Sequence, residues 1–233
     1  MGGAAFSPIN FPNILSAPNR EASSRRRYIP FPTFSCCRQA GGILAFGVHS
    51  GSVSLTLCGT STLTDGDWHH IAVMRNRWDG VYPDGYLWLY VDGELEAQGP
   101  GPGGDISYPD GAVPLSGDDA YLVMGGAKSP AGVAFSGWLD EIRFSNSLRY
   151  SGPSYAVPSA PFPVDGNTIA LLRLDEGVGE AINDVAGYTP PSADYPGGPS
   201  NGLRVYGGSP AGPAWVPSDL FLPYRLLFPS IAK

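Results

Sequence analysis

Positive charge is what this sequence has least of. Fourteen Lys and Arg stand against 21 Asp and Glu in 233 residues, a net charge of -7, and only 15% of residues are charged at all. A phosphate backbone is bound by neutralising it with clustered cations, and the short run Arg25-Arg26-Arg27 is of the kind any solvated surface carries. Nucleic acid is therefore excluded as a partner. Long hydrophobic runs are also missing: no stretch approaches the roughly 20 apolar residues a membrane helix needs, so no membrane span is expected. The opening Met-Gly-Gly-Ala-Ala-Phe has neither the basic start nor the apolar run of a secretory leader. The natural start is expected upstream of it or lost in processing. Cysteine is scarce. Cys36, Cys37 and Cys58 are too few for a disulfide scaffold and lack the spacing of a metal cluster. Helical periodicity is absent beyond the length of a turn.

What is abundant is glycine, proline and aromatic side chain. Thirty-two Gly and 24 Pro approach a disordered composition, but 12% aromatic residues set in patterned runs argue for turn-rich β structure around a core. The length suits one principal all-β domain with extensions. Residues 1–33 read as a polar, proline-broken arm. Ile43 to His49 and Ser52 to Leu57 are β-prone runs joined by a Ser50-Gly51 turn. Cys58 ends the second run and faces the region of Cys36 and Cys37. A Cys37–Cys58 disulfide with one spare thiol is the expectation, three free thiols the alternative.

Asp65-Gly66 then turns the chain into Trp68-His69-His70-Ile71-Ala72-Val73-Met74, read as a strand with Trp68, His70, Ala72 and Met74 on one face. Trp68 suits a sandwich edge with a partner for its N–H. Adjacent strand residues point to opposite faces, so His69 and His70 cannot share a metal ion, and both are read as structural. Tyr86 to Val91 followed by Asp92-Gly93 and Glu94-Leu95-Glu96-Ala97 is a second hairpin. Residues 98–117 read as a long loop. Tyr121 to Gly125 and Phe135 to Phe144 read as two further strands.

The order Asp65-Gly66-x-Trp68-His69-His70-Ile71-Ala72, Leu89-Tyr90-Val91-Asp92-Gly93, Met124-Gly125-Gly126 and Phe135-Ser136-Gly137-Trp138-Leu139-Asp140-Glu141-Ile142-Arg143-Phe144 resembles the laminin G-like family of concanavalin A-like jelly rolls. The resemblance spans about residues 43 to 150 and implies an antiparallel jelly-roll sandwich of two sheets, usually extracellular or at the cell surface. Thr168-Ile169-Ala170-Leu171-Leu172-Arg173-Leu174-Asp175-Glu176-Gly177, Asp184-Val185-Ala186-Gly187, and Gly202-Leu203 to Trp215 look like the segment that normally opens such a domain, displaced here to the C-terminal side. The expected organisation is an arm (1–33), a jelly-roll core (34–150), a Pro/Gly-rich linker (151–167), the displaced segment (168–219) and an apolar tail (220–233). The displaced segment either returns to its own domain in cis, pairs with a neighbouring molecule in trans, or belongs to a further domain truncated or split from the end. A tail as apolar as Leu220-Phe221-Leu222-Pro223-Tyr224-Arg225-Leu226-Leu227-Phe228 is expected to dock, because exposed it would aggregate. Its Leu-Pro-Tyr-Arg-Leu does not support wall anchoring.

Chemistry is thin. Related glucanases carry paired carboxylates in Glu-x-Asp-x-x-Glu, which is missing, and Glu94 and Glu96 read as solvent-side acids beside a turn. Gly-x-Ser-x-Gly, phosphate-loop and His-Glu-x-x-His patterns are missing too. No catalysis is expected. The resemblance implies a structural Ca2+ where opening and closing strands meet, with Asp140, Asp175 or Glu176, and Asp184 at the matching positions. The competing reading pairs Asp140 and Glu141 with Arg143 or with a turn. Trp78, Tyr82 and Tyr108, with Tyr86 and Tyr121, are the candidate ligand-facing aromatics. Two functions follow: a non-catalytic structural subunit that self-associates into a fibre or surface layer by strand exchange, or a monomeric module that binds glycans or surface proteins.

Overall fold

The computed structural model describes residues 42–50, 53–77, 85–103, 124, 137–187, 198–204, 213–217 and 224–228. Among these there is no helix, and every strand pairing is antiparallel. The architecture is an all-β jelly-roll sandwich. The arm, residues 104–117 of the expected loop, the run Tyr121 to Gly125 apart from Met124, and Phe135 lie outside the described residues.

β1 (Ile43–Ser50) and β2 (Val53–Thr62) form the first hairpin, with Ser50 opposite Val53, one residue later than the turn expected from sequence. β2 does not end at Cys58 but continues to Thr62, because Glu96 reaches over from the facing sheet. The register slips between Ile43 and Ala45, and the Glu96 carboxylate accepts the N–H groups of Thr60 (2.8 Å) and Ser61 (3.1 Å) at that irregularity. Amides that lose their ladder partner at a bulge gain an acceptor in this way. Cys58 is disulfide-bonded, which overturns the reading of three free thiols. Cys36 and Cys37 lie outside the described residues.

β3 (Ile71–Asn76), β4 (Tyr86–Val91) and β5 (Glu94–Pro100) make the facing sheet. Strand period two sends Leu87, Leu89 and Val91 inward from β4 against Leu44, Phe46, Val48 and Leu57 of the first hairpin. β5 runs into what the sequence suggested was loop, since Tyr86 and Leu87 pair Pro100 and Gly99. Asp92 (φ 49°) and Gly93 (φ 82°) both take the left-handed conformation that a two-residue type I′ hairpin demands. A Cβ on Gly93 would strike the backbone carbonyl of Tyr155. Gly93→Ala is therefore expected to destabilise by about 2–3 kcal/mol, from strained φ plus a clash that backbone cannot yield to. A thermal melt indistinguishable from wild type would refute this.

The expected strand from Phe135 to Phe144 is two strands, β6 (Gly137–Leu139) and β7 (Ile142–Ser145). The break falls at Glu141, whose φ of 43° ends the ladder. β8 (Thr168–Leu172), the first strand of the displaced segment, pairs antiparallel with β7. It buries Ala170, Leu171 and Leu172. β9 (Ala181–Ile182) pairs with β10 (Gly202–Leu203), and a second core gathers Leu172, Leu174 and Ile182 with Leu139, Ile142 and Trp215. Within the expected apolar tail, β12 (Tyr224–Phe228) lies between β11 (Ala214–Pro217) and β6.

Residues 151–167, the expected Pro/Gly-rich linker, bond to the β4–β5 hairpin. Pro153 accepts the N–H of Leu95 (2.9 Å), Tyr155 donates to Gly93 (2.9 Å), and Ser154 bridges Glu94, so this strap caps the start of β5. Arg149 clasps its ends with a two-pronged bond to Asp165 (2.6 and 2.7 Å) and a third to Ser145 Oγ (2.8 Å).

Candidate functional site

Of the residues singled out for calcium, Asp140 and Glu176 each bury one carboxylate oxygen, Oδ1 and Oε2 respectively, that has no hydrogen-bond partner. Asp184 is buried, with 6% of its surface exposed, and its carboxylate accepts three backbone N–H groups at 2.9 Å: Leu171 and Ala186 on Oδ1, Ser200 on Oδ2. It anchors β8 to the following turns. Glu176 Oε1 accepts from the backbone (2.6 Å) and side chain (3.2 Å) of Asn183. Glu141 pairs with Arg173 at 2.6 Å rather than with Arg143. Asp140 sits at the β6–β7 break and Asp175 beside Glu176. No group of three or more His, Cys, Asp or Glu among the described residues is placed to hold a metal ion. The acid pair Glu94 and Glu96 is likewise divided. The β4–β5 register slips between Leu89 and Tyr90, and both Glu96 oxygens are engaged by β2.

Trp78, Tyr82 and Tyr108 lie outside the described residues. The aromatic surface that is described lies elsewhere, on Trp68 and Trp138. In β6 the side chains alternate: Leu139 packs into the second core, so Trp138 projects the other way and is 44% exposed. The ring of Trp68 approaches it from the turn before β3, with centroids 6.1 Å apart and planes tilted by 35°. Trp68 and His70 therefore precede the strand expected to contain them. Sequence shows both tryptophans within the two motifs, but their meeting is a tertiary fact.

Trp68's turn is tightly built. Asp65 Oδ1 accepts the N–H of Asp67 (3.0 Å) and lies 3.0 Å from His69 Nε2. His69 Nδ1 lies 2.8 Å from Asp92 Oδ2, and the other oxygen of Asp92 accepts the His70 N–H at 2.8 Å. The backbone N–H of Asp92 donates to the His70 carbonyl, also at 2.8 Å. Burial works against charge on His69, but its hydrogen bonds to both carboxylates, with their charge, outweigh it and raise the imidazole above its usual range. His70 behaves oppositely. Burial, and then the charge of Arg143, lower it, and its Nδ1 is hydrogen-bonded to the Tyr155 hydroxyl at 2.8 Å.

Beneath lies a second aromatic group on the outer face of the β3–β4–β5 sheet. Tyr86, Trp88 and Tyr90 follow one another at strand spacing, with Tyr86 and Trp88 in contact at 4.8 Å. Tyr90 is covered by the strap, where Tyr150 and Tyr155 stack at 3.6 Å and Tyr90 donates to the Gly152 carbonyl (2.9 Å). This group fastens the strap, whereas the Trp68–Trp138 pair fastens to the rim and opens to solvent.

Residues 20–150, more than half the chain, match the laminin G-type family model of the concanavalin A-like lectin/glucanases superfamily. Domains of this kind are generally non-enzymatic binding modules and typically extracellular. No curated protein and no solved structure matches the chain. No helix among the described residues is long and apolar enough to cross a membrane. The matched region ends before β8, so the segment that pairs with β7 lies beyond it.

Proposed function

The chain belongs to the concanavalin A-like lectin/glucanases superfamily, and we propose that it is a non-catalytic adhesion module that binds glycans outside the cell across the indoles of Trp68 and Trp138. The observation that carries this reading is the exposed Trp138 ring, set on an outward-facing strand position and adjoined by a second indole. Trp138 keeps 44% of its surface exposed, and exposed aromatic surface of this kind commonly marks a binding site. An indole offers a flat apolar face to the C–H face of a pyranose. The sugar hydroxyls then stay available to water and to the exposed acceptors Asp65 and Asp67 on the same turn. With a net charge of -7, neutral glycans fit better than acidic ones.

Self-assembly by strand exchange is the weaker reading. The pairing of β8 with β7 favours the single-chain reading over it.

The test is Trp138→Ala in affinity electrophoresis through gels containing laminarin, xyloglucan, galactomannan or soluble chito-oligosaccharide. Retention by at least one of these is expected for wild type, weakened about 10-fold or more in the variant, the loss of about 1.4 kcal/mol or more that a central aromatic contact carries. The melting temperature should hardly move, because the ring is exposed. Equal retention of both proteins would defeat the proposal.

A further inference from the structure

The His69 imidazole is the side-chain tie between the turn that carries Trp68 and the β4–β5 hairpin, beside the bonds that join His70 to Asp92 through the His70 N–H and carbonyl. An ionised carboxylate only accepts hydrogen bonds, and His69 meets one on each ring nitrogen, Asp92 at 2.8 Å and Asp65 at 3.0 Å. Both contacts are hydrogen bonds only when the ring carries both protons. A neutral ring keeps one donor and turns a lone pair toward the other carboxylate, which replaces attraction with repulsion. The two acids come from different places: Asp65 from the turn itself, Asp92 from the tip of the β4–β5 hairpin. The tie therefore spans two elements, and Trp68 is the residue immediately before it.

We propose that Asp65, His69 and Asp92 form a protonation-dependent latch that positions Trp68 beside Trp138, closed while His69 is an imidazolium and loosened when it is neutral. His69 is thus a positioning residue for the glycan platform, and the consequence for binding rests on that reading of the two indoles. The groups acting on His69 are Asp65 from its own turn and Asp92 from the hairpin. Neighbouring His70 is faced by Tyr155 of the strap and Arg143 of β7 and is held toward its neutral form, so it adds no opposing charge.

The direction follows from linkage. A histidine raised in the folded state contributes stability that is complete below its ordinary value of 6.5 and is lost as pH rises through its higher folded value. The latch is closed in mildly acidic solution and loosens toward alkaline pH, as the imidazolium fraction falls about tenfold per pH unit beyond the midpoint.

The experiment uses the full chain without ligand. The histidine ring protons are titrated by NMR, and acrylamide quenching of tryptophan fluorescence is followed across the same range. Trp68→Phe supplies the subtraction that isolates Trp68. His69 is expected to titrate above 6.5, with Trp68 becoming more quenchable at the same midpoint. Asp92→Asn is expected to move both midpoints down together, and His69→Gln to abolish the pH step and leave Trp68 quenchable throughout. A His69 midpoint at or below 6.5, or quenching that stays flat through its titration, overturns the latch; should His69→Gln fail to fold, the wild-type and Asp92→Asn titrations still decide. The two readings fail separately. Glycan retention indifferent to Trp138→Ala removes the platform and leaves these titrations standing, whereas flat quenching alongside Trp138-dependent retention removes the latch alone.

Discussion

Asp184→Ala is expected to unfold the C-terminal half of the sandwich more readily than any surface change, at a cost of about 3–5 kcal/mol. The carboxylate is buried and gathers the N–H groups of Leu171, Ala186 and Ser200. Alanine removes the acceptor and leaves all three donors, at least one of them inside β8, where water reaches poorly. An orphaned buried donor costs about 1–3 kcal/mol, and partial hydration keeps the sum below three times the upper value. At about 2–4 °C per kcal/mol for a chain of this size, the melting temperature should fall by roughly 10 °C. Asp184→Asn should lose less, since its carbonyl oxygen can still serve Leu171 and Ala186 while its amide group opposes Ser200. Circular dichroism melts with and without Ca2+ separate this anchor from the ligand role expected from sequence. If Ca2+ raised the wild-type melting temperature and Asp184→Ala removed that increment while changing little else, the carboxylate would be a metal ligand after all.

Asp184 also shows how far the sequence could be read. Its place in the displaced segment was visible from the motif around it, and so was the hairpin at Asp92-Gly93, because turn chemistry and strand alternation are local signals. The Trp68 and Trp138 motifs were visible for the same reason. What stayed hidden depends on residues far apart in the chain. His69 and Asp92 are separated by 23 positions and Tyr155 and His70 by 85, and no spacing rule joins them. The left-handed Glu141 was invisible because nothing local favours that conformation for glutamate. Its carboxylate is held by the Phe162 N–H and by Arg173, and those bonds impose the break between β6 and β7. Residues 151–167 read as a linker for a similar cause. Proline, glycine and serine mark irregular backbone, and irregular backbone can be fastened by aromatic side chains as firmly as a strand.

That fastening is most exposed to disruption at Arg173. Its guanidinium lies 2.6 Å from Glu141 and donates to the Phe162 carbonyl at 3.1 Å, while Glu141 accepts the Phe162 N–H at 2.9 Å. Only 5% of the Glu141 side chain is exposed. Burial pushes the Glu141 carboxyl above its usual range even though the Phe162 N–H, Arg173 and Arg143 all favour the ionised form. Arg173→Met keeps much of the side-chain volume and strips away the nearest cation, and removing one member of a buried pair typically costs about 3–5 kcal/mol. The pH dependence has a definite sign. An acid raised in the folded state penalises folding once pH exceeds its folded value, and the penalty disappears below its ordinary value of 4.5. Losing Arg173 raises Glu141 further, so the deficit of the variant relative to wild type should be largest at neutral pH and shrink as the solution is acidified toward 4.5. Urea denaturation at several pH values measures this. In the double variant Glu141→Gln/Arg173→Met the neutral amide should still accept the Phe162 N–H and recover part of the loss at pH 7, with the acid-dependent recovery gone. A deficit for Arg173→Met that did not change with pH would mean that the guanidinium acts through its packing and its bond to Phe162, and that the charge on Glu141 is stabilised by other means.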